Sequence, residues 1–355
     1  MSDLVTQYQW NQLVSSTMIK ATRLAIFQLV LLGMLPSLPG YADWNRFRGP
    51  NGRGVAAEAT PPVEFAPEKN LRWMTGGLPV GHSSPVLWGE RIFLTGFENN
   101  RLESLCIDRR NGEILWRRKA PDTPIGYHHT DNNPAASTPA VDAERLYVYF
   151  GSYGLLCYDH AGKELWRRPV PTPKNMHGVA TSPIVHDDVL YLMRDSMDVG
   201  DSYLLALDCR DGSALWKTRR LTLNPNFSTP VIFRHDGVTE IVSLGGGALT
   251  SYDARSGIEL WKVTGFGSSV PIPIVGDKYL YASSLAGTDG ETRMRAHDWN
   301  YYLAFDKNGD GQVAIEEIPK DAQFRADPSR PDLLIPVHQV APIFDQNQNG
   351  IVTRG

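Results

Sequence analysis

"SLCIDRRNGEILW", residues 104–116, holds the pattern that decides the fold, because three later stretches repeat it. The copies are "LLCYDHAGKELW" ending at Trp166, "LLALDCRDGSALW" ending at Trp216 and "LTSYDARSGIELW" ending at Trp261. Each copy contains a small residue within an apolar stretch, then an Asp, a turn with Gly, and Leu-Trp. The tryptophans follow one another at intervals of 50, 50 and 45 residues, a period typical of repeat architectures.

Each copy predicts a β-hairpin. Asp suits the end of the first strand because its side chain bonds to the turn backbone, and Gly suits the turn because it accepts a positive φ. The turn residues are Asp108, Asp159, Asp208 and Asp253, followed by Gly112, Gly162, Gly212 and Gly257. The Leu-Trp pair then begins an outer strand. The aligned small residues, which we interpret as core positions, are Cys106, Cys157, Ala206 and Ser251.

A second pair of strands precedes each hairpin. The four segments are "SSPVLWGERIFLTG", "STPAVDAERLYVYFG", "TSPIVHDDVLYLM" and "STPVIFRHDGVTEIVSLG". Each contains two runs rich in β-branched and aromatic residues around a polar turn, which predicts two strands. Four strands in roughly 45 residues form the blade of a β-propeller, so we predict an all-β fold of four-stranded blades over residues 43–290.

The Asp-turn-Gly-x-x-Leu-Trp hairpin resembles the tryptophan-docking repeat of the pyrroloquinoline-quinone-type β-propellers. That superfamily includes quinoprotein dehydrogenases and the propeller subunit of the bacterial outer-membrane assembly machinery. The lead-in "DWNRFRGPNGRG", Asp43 to Gly54, also resembles that of exported proteins of this kind. The resemblance implies the fold of residues 43–290 and leaves the activity open, because one fold hosts many activities.

Two segments mark the ends of the repeat region. "NLRWMTG", around Trp73, resembles an outer strand with no inner strands before it, as when an N-terminal strand completes the last blade of a propeller. After the fourth hairpin, Pro271 to Ser284 supply only two strands before the pattern changes. Because an open ring leaves unpaired strand edges, we expect this sequence to be a fragment of a longer protein.

The composition favours a folded globular protein and gives no sign of nucleic-acid binding. The 355 residues are 42% hydrophobic and 10% aromatic, which is ample for a large core. The net charge is -4 and the lysines and arginines are scattered, so no basic surface is predicted. The three cysteines, Cys106, Cys157 and Cys209, have no C-x-x-C spacing, which predicts neither a zinc site nor a redox site.

The N-terminal stretch predicts a secretory signal peptide over residues 1–42. Lys20 and Arg23 precede an apolar run from Leu24 to Leu35, and small residues follow up to Ala42. A membrane anchor is the alternative, but the run is short and interrupted. The polar residues before Met18 are atypical of a signal peptide, so Met18 is a second possible start. We expect a periplasmic or secreted protein with no transmembrane segment after cleavage.

"FDKNGDGQVAIEE", residues 305–317, matches the calcium loop of an EF-hand. The predicted oxygen ligands are the side chains of Asp306, Asn308, Asp310 and Glu317 and the backbone carbonyl of Gln312. Gly311 supplies the sharp turn, and Val313 is the apolar residue that pairs with a partner loop. The alternative is a surface turn rich in Asp, Asn and Gly.

A second loop, "FDQNQNGIVTRG", begins at Phe344 and offers Asp345, Asn347 and Asn349. It has fewer carboxylates than the first loop, which predicts weaker calcium binding. "DWNYYLAF" predicts a helix entering the first loop, with Trp299, Tyr302 and Leu303 on one face, whereas Pro319 falls within the exit helix. We therefore interpret residues 291–355 as an EF-hand-like insertion that is braced by calcium rather than opened by it.

Two further sets of residues are candidate site residues. His82, His128, His129 and His177 precede the starts of inner strands, where loops cluster near one end of a propeller channel. They are either a metal or substrate site or solvated loop residues, and no carboxylate lies at ligand spacing from them. Ser84, Thr138, Ser182 and Thr229 recur beside the strand-starting prolines, and we expect them to bond blade backbone rather than to catalyse.

Two functions from different classes fit these observations. The first is a non-enzymatic exported propeller that acts as a binding or assembly scaffold, with protein or cell-envelope partners. The alternative is a dehydrogenase with pyrroloquinoline quinone in the channel. The resemblance to quinoprotein dehydrogenases implies an adjacent pair of cysteines over the cofactor, and no two cysteines are adjacent in this sequence. We therefore expect calcium, but not the quinone, as a cofactor, and predict no catalytic residue.

Overall fold

The computed structural model describes residues 44–57, 59–198, 200–220, 226–267, 270–277, 279–284, 302–325, 334–338, 341 and 349–352. The predicted signal peptide and Trp299 lie outside these residues, as do Asp345 and Asn347 of the second loop.

The described residues form four complete four-stranded antiparallel sheets, each in the order of the chain. We call them blades 1 to 4. Their strands are β1 (Val86–Trp88), β2 (Arg91–Glu98), β3 (Arg101–Asp108) and β4 (Ile114–Lys119); β5 (Ala140–Val141), β6 (Arg145–Phe150), β7 (Gly154–Asp159) and β8 (Glu164–Pro169); β9 (Ile184–His186), β10 (Val189–Arg194), β11 (Tyr203–Asp208) and β12 (Ala214–Arg219); and β13 (Val231–His235), β14 (Val238–Gly245), β15 (Ala248–Asp253) and β16 (Glu259–Thr264). The first strands of successive blades contact one another, β1 with β5 and β5 with β9. This arrangement confirms the predicted all-β fold of four-stranded blades.

The remaining regular structure is short. A fifth blade is represented by β17 (Ile274–Val275) paired with β18 (Leu280–Tyr281), the two strands expected between Pro271 and Ser284. The C-terminal part contains β19 (Val313–Ala314), β20 (Gln323–Arg325), β21 (Leu334–Pro336) and β22 (Ile351–Val352). Short 3₁₀ helices occupy Pro50–Gly52 and Ile315–Glu317.

The hairpin turns have the predicted chemistry. The carboxylate of Asp108 accepts a hydrogen bond from the Arg110 backbone N–H at 2.8 Å, and Asp208 accepts the same bond from Arg210 at 2.8 Å. Hydrogen bonds from the Arg110 side chain lower the pKa of Asp108 to about 2. Each turn glycine has a positive φ, between +72° and +81°, which an L side chain rarely adopts.

The aligned small residues are explained by their partners across the hairpin. Each one lies opposite the tryptophan of the outer strand: Cys106 opposite Trp116, Cys157 opposite Trp166, Ala206 opposite Trp216 and Ser251 opposite Trp261. The register shifts by a β-bulge directly after each of them. A small side chain therefore makes room for the indole, and the bulge re-aims the strand into the turn.

The outer-strand tryptophans of blades 1 to 3 each dock on the hairpin turn of the next blade. The indole N–H donates to a backbone carbonyl there: Trp116 to His160 at 3.0 Å, Trp166 to Cys209 at 2.9 Å and Trp216 to Ala254 at 3.1 Å. The ring also covers the turn glycine, so that a Cβ at Gly162 or Gly212 would lie 2.7 Å from it. Asp, Gly and Trp of the repeat are thus parts of one contact between neighbouring blades.

The four repeated tryptophans are not equally buried, although the repeat places them at equivalent positions. Trp116 and Trp166 are buried, whereas Trp216 and Trp261 are partly exposed. Trp261 has no complete blade after it among the described residues, and its indole N–H donates to Glu240 Oε2 within its own blade at 2.8 Å.

The lead-in segment, residues 44–54, lies across the first strands of the blades. Trp44 forms a bridge with Leu87 of β1, and the Asn45 carbonyl accepts a hydrogen bond from Val141 of β5 at 2.9 Å. The Asn51 side chain bonds both backbone groups of Ile232 in β13, at 2.7 and 3.0 Å. The lead-in segment therefore fastens the inner strands of three blades together.

Candidate functional site

The first predicted calcium loop folds around its own acidic side chains. Asp306 accepts hydrogen bonds from the backbone N–H groups of Gly309 at 2.8 Å and Gly311 at 2.9 Å. Asn308 accepts one from Asp310, and Asp310 accepts one from Gln312, both at 2.8 Å. Gly309 and Gly311 have positive φ values of 72° and 79°, so the turn is as tight as the motif requires.

Glu317 closes this loop. Its Oε1 accepts from the Lys307 N–H at 3.2 Å and its Oε2 from the Ala314 N–H at 2.9 Å. The last predicted ligand therefore lies beside the beginning of the loop, although ten residues separate it from Lys307. The exit helix is reduced to the 3₁₀ turn Ile315–Glu317, and Ile318 is already extended before Pro319. At the loop entrance, only Tyr302 and Leu303 are assigned as helical among the described residues.

The two loops are joined by a short antiparallel pair. Val313 of β19 pairs with Val352 of β22, and Ala314 pairs with Ile351. The Ile315 N–H also donates to the Gly350 carbonyl at 2.8 Å. Val313 thus has the partner loop that the sequence predicted for it.

Six apolar side chains among the described residues of this segment are buried: Tyr302, Val313, Ile318, Val337, Ala341 and Val352. His338 contacts the Ile318 carbonyl through Nε2 at 2.5 Å. The segment therefore contains buried apolar side chains as well as the oxygen-bearing side chains of the loop.

The carboxylate and amide oxygens of the first loop are the ligand type that a hard cation such as calcium prefers. In this structure they accept hydrogen bonds from backbone N–H groups of the loop. An ionised carboxylate offers about four lone-pair sites, so Asp306 with two amide contacts retains acceptor capacity for a metal. Within the described ranges, no group of three or more acidic, histidine or cysteine side chains is gathered closely enough to hold a metal. Of the predicted second-loop ligands only Asn349 is described, and its side chain accepts from the Ile351 N–H at 3.0 Å.

The loop histidines are brought together in part. The rings of His129 and His177 lie edge to face with centroids 5.4 Å apart, and His177 lies 5.7 Å from Phe227. His128 lies edge-on to Phe97 at 6.4 Å. His82 instead bonds the Ala135 carbonyl through its backbone N–H at 3.2 Å. His129 and His177 are therefore neighbours, whereas His128 packs on Phe97 and His177 remains exposed.

The strand-starting hydroxyls link one blade to the next, as the sequence predicted. The backbone N–H of Ser84 donates to Thr138 Oγ1 at 2.9 Å. In the same way, the backbone N–H of Thr138 donates to Ser182 Oγ at 3.0 Å, and that of Ser182 donates to Thr229 Oγ1 at 3.1 Å. Thr138, Ser182 and Thr229 are buried. These side chains satisfy backbone donors at the blade interfaces.

The cysteines are buried free thiols. Burial raises the pKa of Cys106 and of Cys209 to about 12 and raises the pKa of Cys157 as well. A thiol with a raised pKa holds little of the reactive thiolate at neutral pH.

Sequence reasoning missed two polar features of the blades. Arg220 and Asp195 form a buried ion pair at 2.8 Å, and Arg220 also donates to Ser243 and Tyr252. Buried Arg46 donates to Asn51 Oδ1 at 2.6 Å, and its burial lowers its pKa to about 10. The first has no local pattern, because Asp195 and Arg220 follow two different strands, β10 and β12. The second is a local contact within the lead-in segment, and the density of Arg, Asn and Gly in residues 46–54 is its signal in the sequence.

Among the helices that the structure describes, none is long and apolar enough to cross a membrane.

A protein-family model described as outer membrane protein assembly factor BamB matches residues 81–308, which is more than half of the chain. None of the curated proteins matches this chain significantly.

The solved structures that are similar to the chain include two alcohol dehydrogenases and one BamB protein. BamB from Moraxella catarrhalis has 16% identity and a TM-score of 0.41, with 59% of this chain and 58% of that chain covered. Quinohemoprotein alcohol dehydrogenase from Comamonas testosteroni has 12% identity and a TM-score of 0.52, covering 66% and 44%. Quinohemoprotein alcohol dehydrogenase ADHIIG from Pseudomonas putida HK5 has 13% identity and a TM-score of 0.41, covering 55% and 36%. The chain thus spans between 36% and 58% of the length of these structures, and at such identities the similarity concerns the fold alone.

Proposed function

The chain belongs to the family described as outer membrane protein assembly factor BamB, and from this membership we propose that it is an exported, non-enzymatic β-propeller that binds protein partners in the cell envelope. The observation that carries the proposal is the family match over residues 81–308, which includes all four complete blades. A periplasmic or secreted location accords with the signal-peptide pattern of residues 1–42.

The polar residues that recur in every blade support a scaffold. The repeated Asp accepts from its own turn, the repeated Trp of blades 1 to 3 donates to the next blade, and the repeated hydroxyls accept from the backbone of the neighbouring blade. Their repetition therefore has a structural cause that needs no catalytic role. Exposed loops and strand edges are left for partner binding.

We also propose that the first loop binds calcium through Asp306, Asn308, Asp310, Glu317 and the Gln312 carbonyl. Alternate oxygen-bearing residues, the turn at Gly311 and the return of Glu317 to Lys307 support this assignment. A bound cation would fix the loop by replacing the contacts of the carboxylates with stronger ones to the ion. The second loop, with Asp345, Asn347 and Asn349, would bind more weakly because it has fewer carboxylates. The role of the ion is to brace the insertion.

Two measurements on the mature protein and its host test the scaffold function. In cells that produce this protein, removing its gene should lower the amount of folded outer-membrane proteins, and the wild-type gene should restore it. Separately, adding pyrroloquinoline quinone and calcium to the purified protein should give no alcohol-dependent or sugar-dependent reduction of a dye. A saturable, quinone-dependent rate would establish the dehydrogenase alternative, and unchanged outer-membrane proteins would refute the assembly role.

A further inference from the structure

The loop between blades 1 and 2 and the loop between blades 2 and 3 are fastened to each other at two histidines. The His129 backbone N–H donates to the His177 carbonyl at 3.2 Å, and the Asn132 side chain donates to the same carbonyl at 2.7 Å. Gly178 lets the loops approach, because a Cβ there would lie 2.9 Å from the Asn132 amide nitrogen. The main chain at residues 129 and 177 is therefore fixed by contacts that do not use their side chains.

The two imidazole rings have the spacing that a shared metal ion requires. Their centroids lie 5.4 Å apart, and their planes are inclined at 64°. A metal ion about 2 Å from one nitrogen of each ring, with a tetrahedral angle between the two bonds, places the centroids roughly 5 Å apart. Phe227 also packs on His177, with its centroid 5.7 Å away. The His177 ring is thus held beside His129 by a neighbour that offers no ligand atom.

Each ring keeps a nitrogen for a metal. Nδ1 of His129 accepts a hydrogen bond from the Asp131 backbone N–H at 3.1 Å and lies 3.4 Å from Asp131 Oδ2. Nε2 of His129 and the ring nitrogens of His177 have no hydrogen-bond partner in the part of the chain that the structure describes. A histidine that binds a metal usually donates its second ring N–H to a carboxylate, which orients the ring. Asp131 is placed to accept from Nδ1 of His129 when Nε2 binds a metal.

We propose that His129 and His177 together bind one late first-row divalent ion, such as Zn²⁺ or Cu²⁺, with Asp131 as a positioning residue. Imidazole suits these ions, whereas Ca²⁺ and Mg²⁺ prefer oxygen ligands. With two protein ligands the site is smaller than the groups of three or more that the described residues lack. A tetrahedral ion would keep two positions open to water or to a small ligand. The inference rests on the two loops and not on the scaffold function.

The other two loop histidines lie outside this site. His128 Nδ1 lies 3.3 Å from the Gly126 carbonyl, and the His128 ring lies edge-on to Phe97. His82 is exposed, and its backbone N–H donates to the Ala135 carbonyl. His82→Ala therefore removes one imidazole from the surface without touching the proposed site, and it serves as the matched control.

Titration of the purified, untagged chain with zinc measures the site. Calcium is kept in excess, so that the predicted calcium loop does not take up zinc. His129→Ala and His177→Ala should each weaken zinc binding by more than about tenfold, because a lost ligand costs more affinity than a lost partner of a ligand. Asp131→Asn should weaken it by about tenfold, because the orienting carboxylate is lost. His82→Ala should bind zinc as the wild-type chain does.

Copper gives a spectroscopic count of the ligands. Pulsed electron paramagnetic resonance of the wild-type chain with equimolar Cu²⁺ should show two coordinated imidazoles, and His177→Ala should show one. Equal zinc affinity in the wild-type chain and both alanine variants at residues 129 and 177 would overturn the proposal. So would an equal loss in His82→Ala, or fewer than two imidazoles on copper in the wild-type chain.

The test does not depend on the folding of the alanine variants. Asp131 is exposed, and Asp131→Asn retains the backbone N–H that bonds His129. If the alanine variants do not fold, the imidazole count of the wild-type chain and the zinc affinity of Asp131→Asn decide together. Two imidazoles with weakened zinc binding in Asp131→Asn would support the site, and any other combination would refute it.

Discussion

The indole of Trp116 covers Gly162 of the following blade, so that a Cβ at residue 162 would lie 2.7 Å from the ring. The same indole donates to the His160 carbonyl two residues before that glycine, at 3.0 Å. Trp116 is buried, and its ring lies 6.0 Å from that of Tyr158 at a tilt of 43°. One side chain therefore joins the outer strand of blade 1 to the last hairpin of blade 2.

We expect Trp116→Ala to lower the free energy of unfolding by about 3–5 kcal/mol, because a buried ring is lost and a cavity remains. Trp116→Phe is the matched variant, because it keeps an aromatic ring and loses the indole N–H. We expect its free energy of unfolding to fall by less than that of Trp116→Ala, with about 1 kcal/mol of the decrease from the lost hydrogen bond. Urea denaturation of the three proteins measures both differences. An unchanged midpoint in Trp116→Ala would contradict the docking of blades by tryptophan.

Gly162→Ala and Gly237→Ala separate backbone strain from contact with the indole. Both glycines have a positive φ, +81° and +78°, but a Cβ at Gly237 would meet no atom within 4 Å. Each substitution should cost about 1–2 kcal/mol of strain. Gly162→Ala should cost roughly 1–3 kcal/mol more, because its methyl group overlaps a buried ring. Equal losses of thermal stability in the two variants would show that the Trp116 ring moves away from the added methyl group at no cost in stability.

Glu317→Gln should weaken calcium binding, because a charged ligand with two oxygens becomes a neutral amide. We also expect faster proteolysis between residues 287 and 355 at a calcium concentration that saturates the wild-type chain, with the blades from Trp116 to Trp261 still folded. Glu316→Gln is the matched control, since Glu316 is exposed and precedes the ligand by one residue.

Isothermal titration with calcium and limited proteolysis provide the two measurements. Absence of calcium binding by the wild-type chain, or loss of the whole fold when calcium is chelated, would each contradict the bracing role.

Hydrogen bonds from His235 to Glu240 and Asp236 raise the pKa of His235 above its ordinary value. The Nε2 atom lies 2.6 Å from Glu240 Oε1, and Glu240 is buried. Because the folded state favours the protonated ring, this contribution to stability is complete below the unfolded pKa and is lost as pH rises through the folded pKa.

The melting temperature of the wild-type protein minus that of His235→Gln should therefore decrease between about pH 5 and pH 9, a range that spans the ordinary histidine pKa. Unfolding in matched buffers measures this difference. A difference that is constant with pH, or that increases toward high pH, would be inconsistent with a protonated His235 in the fold.

The hairpins were predictable because their causes are local. Asp108 and Gly112 form one turn within five residues of sequence, and the identical spacing in three later copies removes the ambiguity of a single match. The partner of Val313 was also predictable, since the apolar eighth position of a calcium loop pairs with its equivalent. Calcium binding itself stays a prediction.

Other contacts were not predictable because they join distant residues. The lead-in segment has turn-forming residues, yet nothing in its sequence indicates that Asn51 bonds Ile232, which is 181 residues away. The histidines show the same limit. Their shared position before inner strands predicted a common end of the blades, but the sequence did not indicate that the His129 ring lies against that of His177.

The lead-in segment also has a consequence for the order of folding. It comes before every blade in the sequence, but its partners Val141 and Ile232 come about 100 and 180 residues later. Contacts of such long sequence separation form slowly, because the loop between them must close before they stabilise anything. Leu87, Val141 and Ile232 can be held together only after the strands that carry them exist. We therefore expect the lead-in segment, although it is made before the blades, to take its native position last, after the blades that it joins have formed.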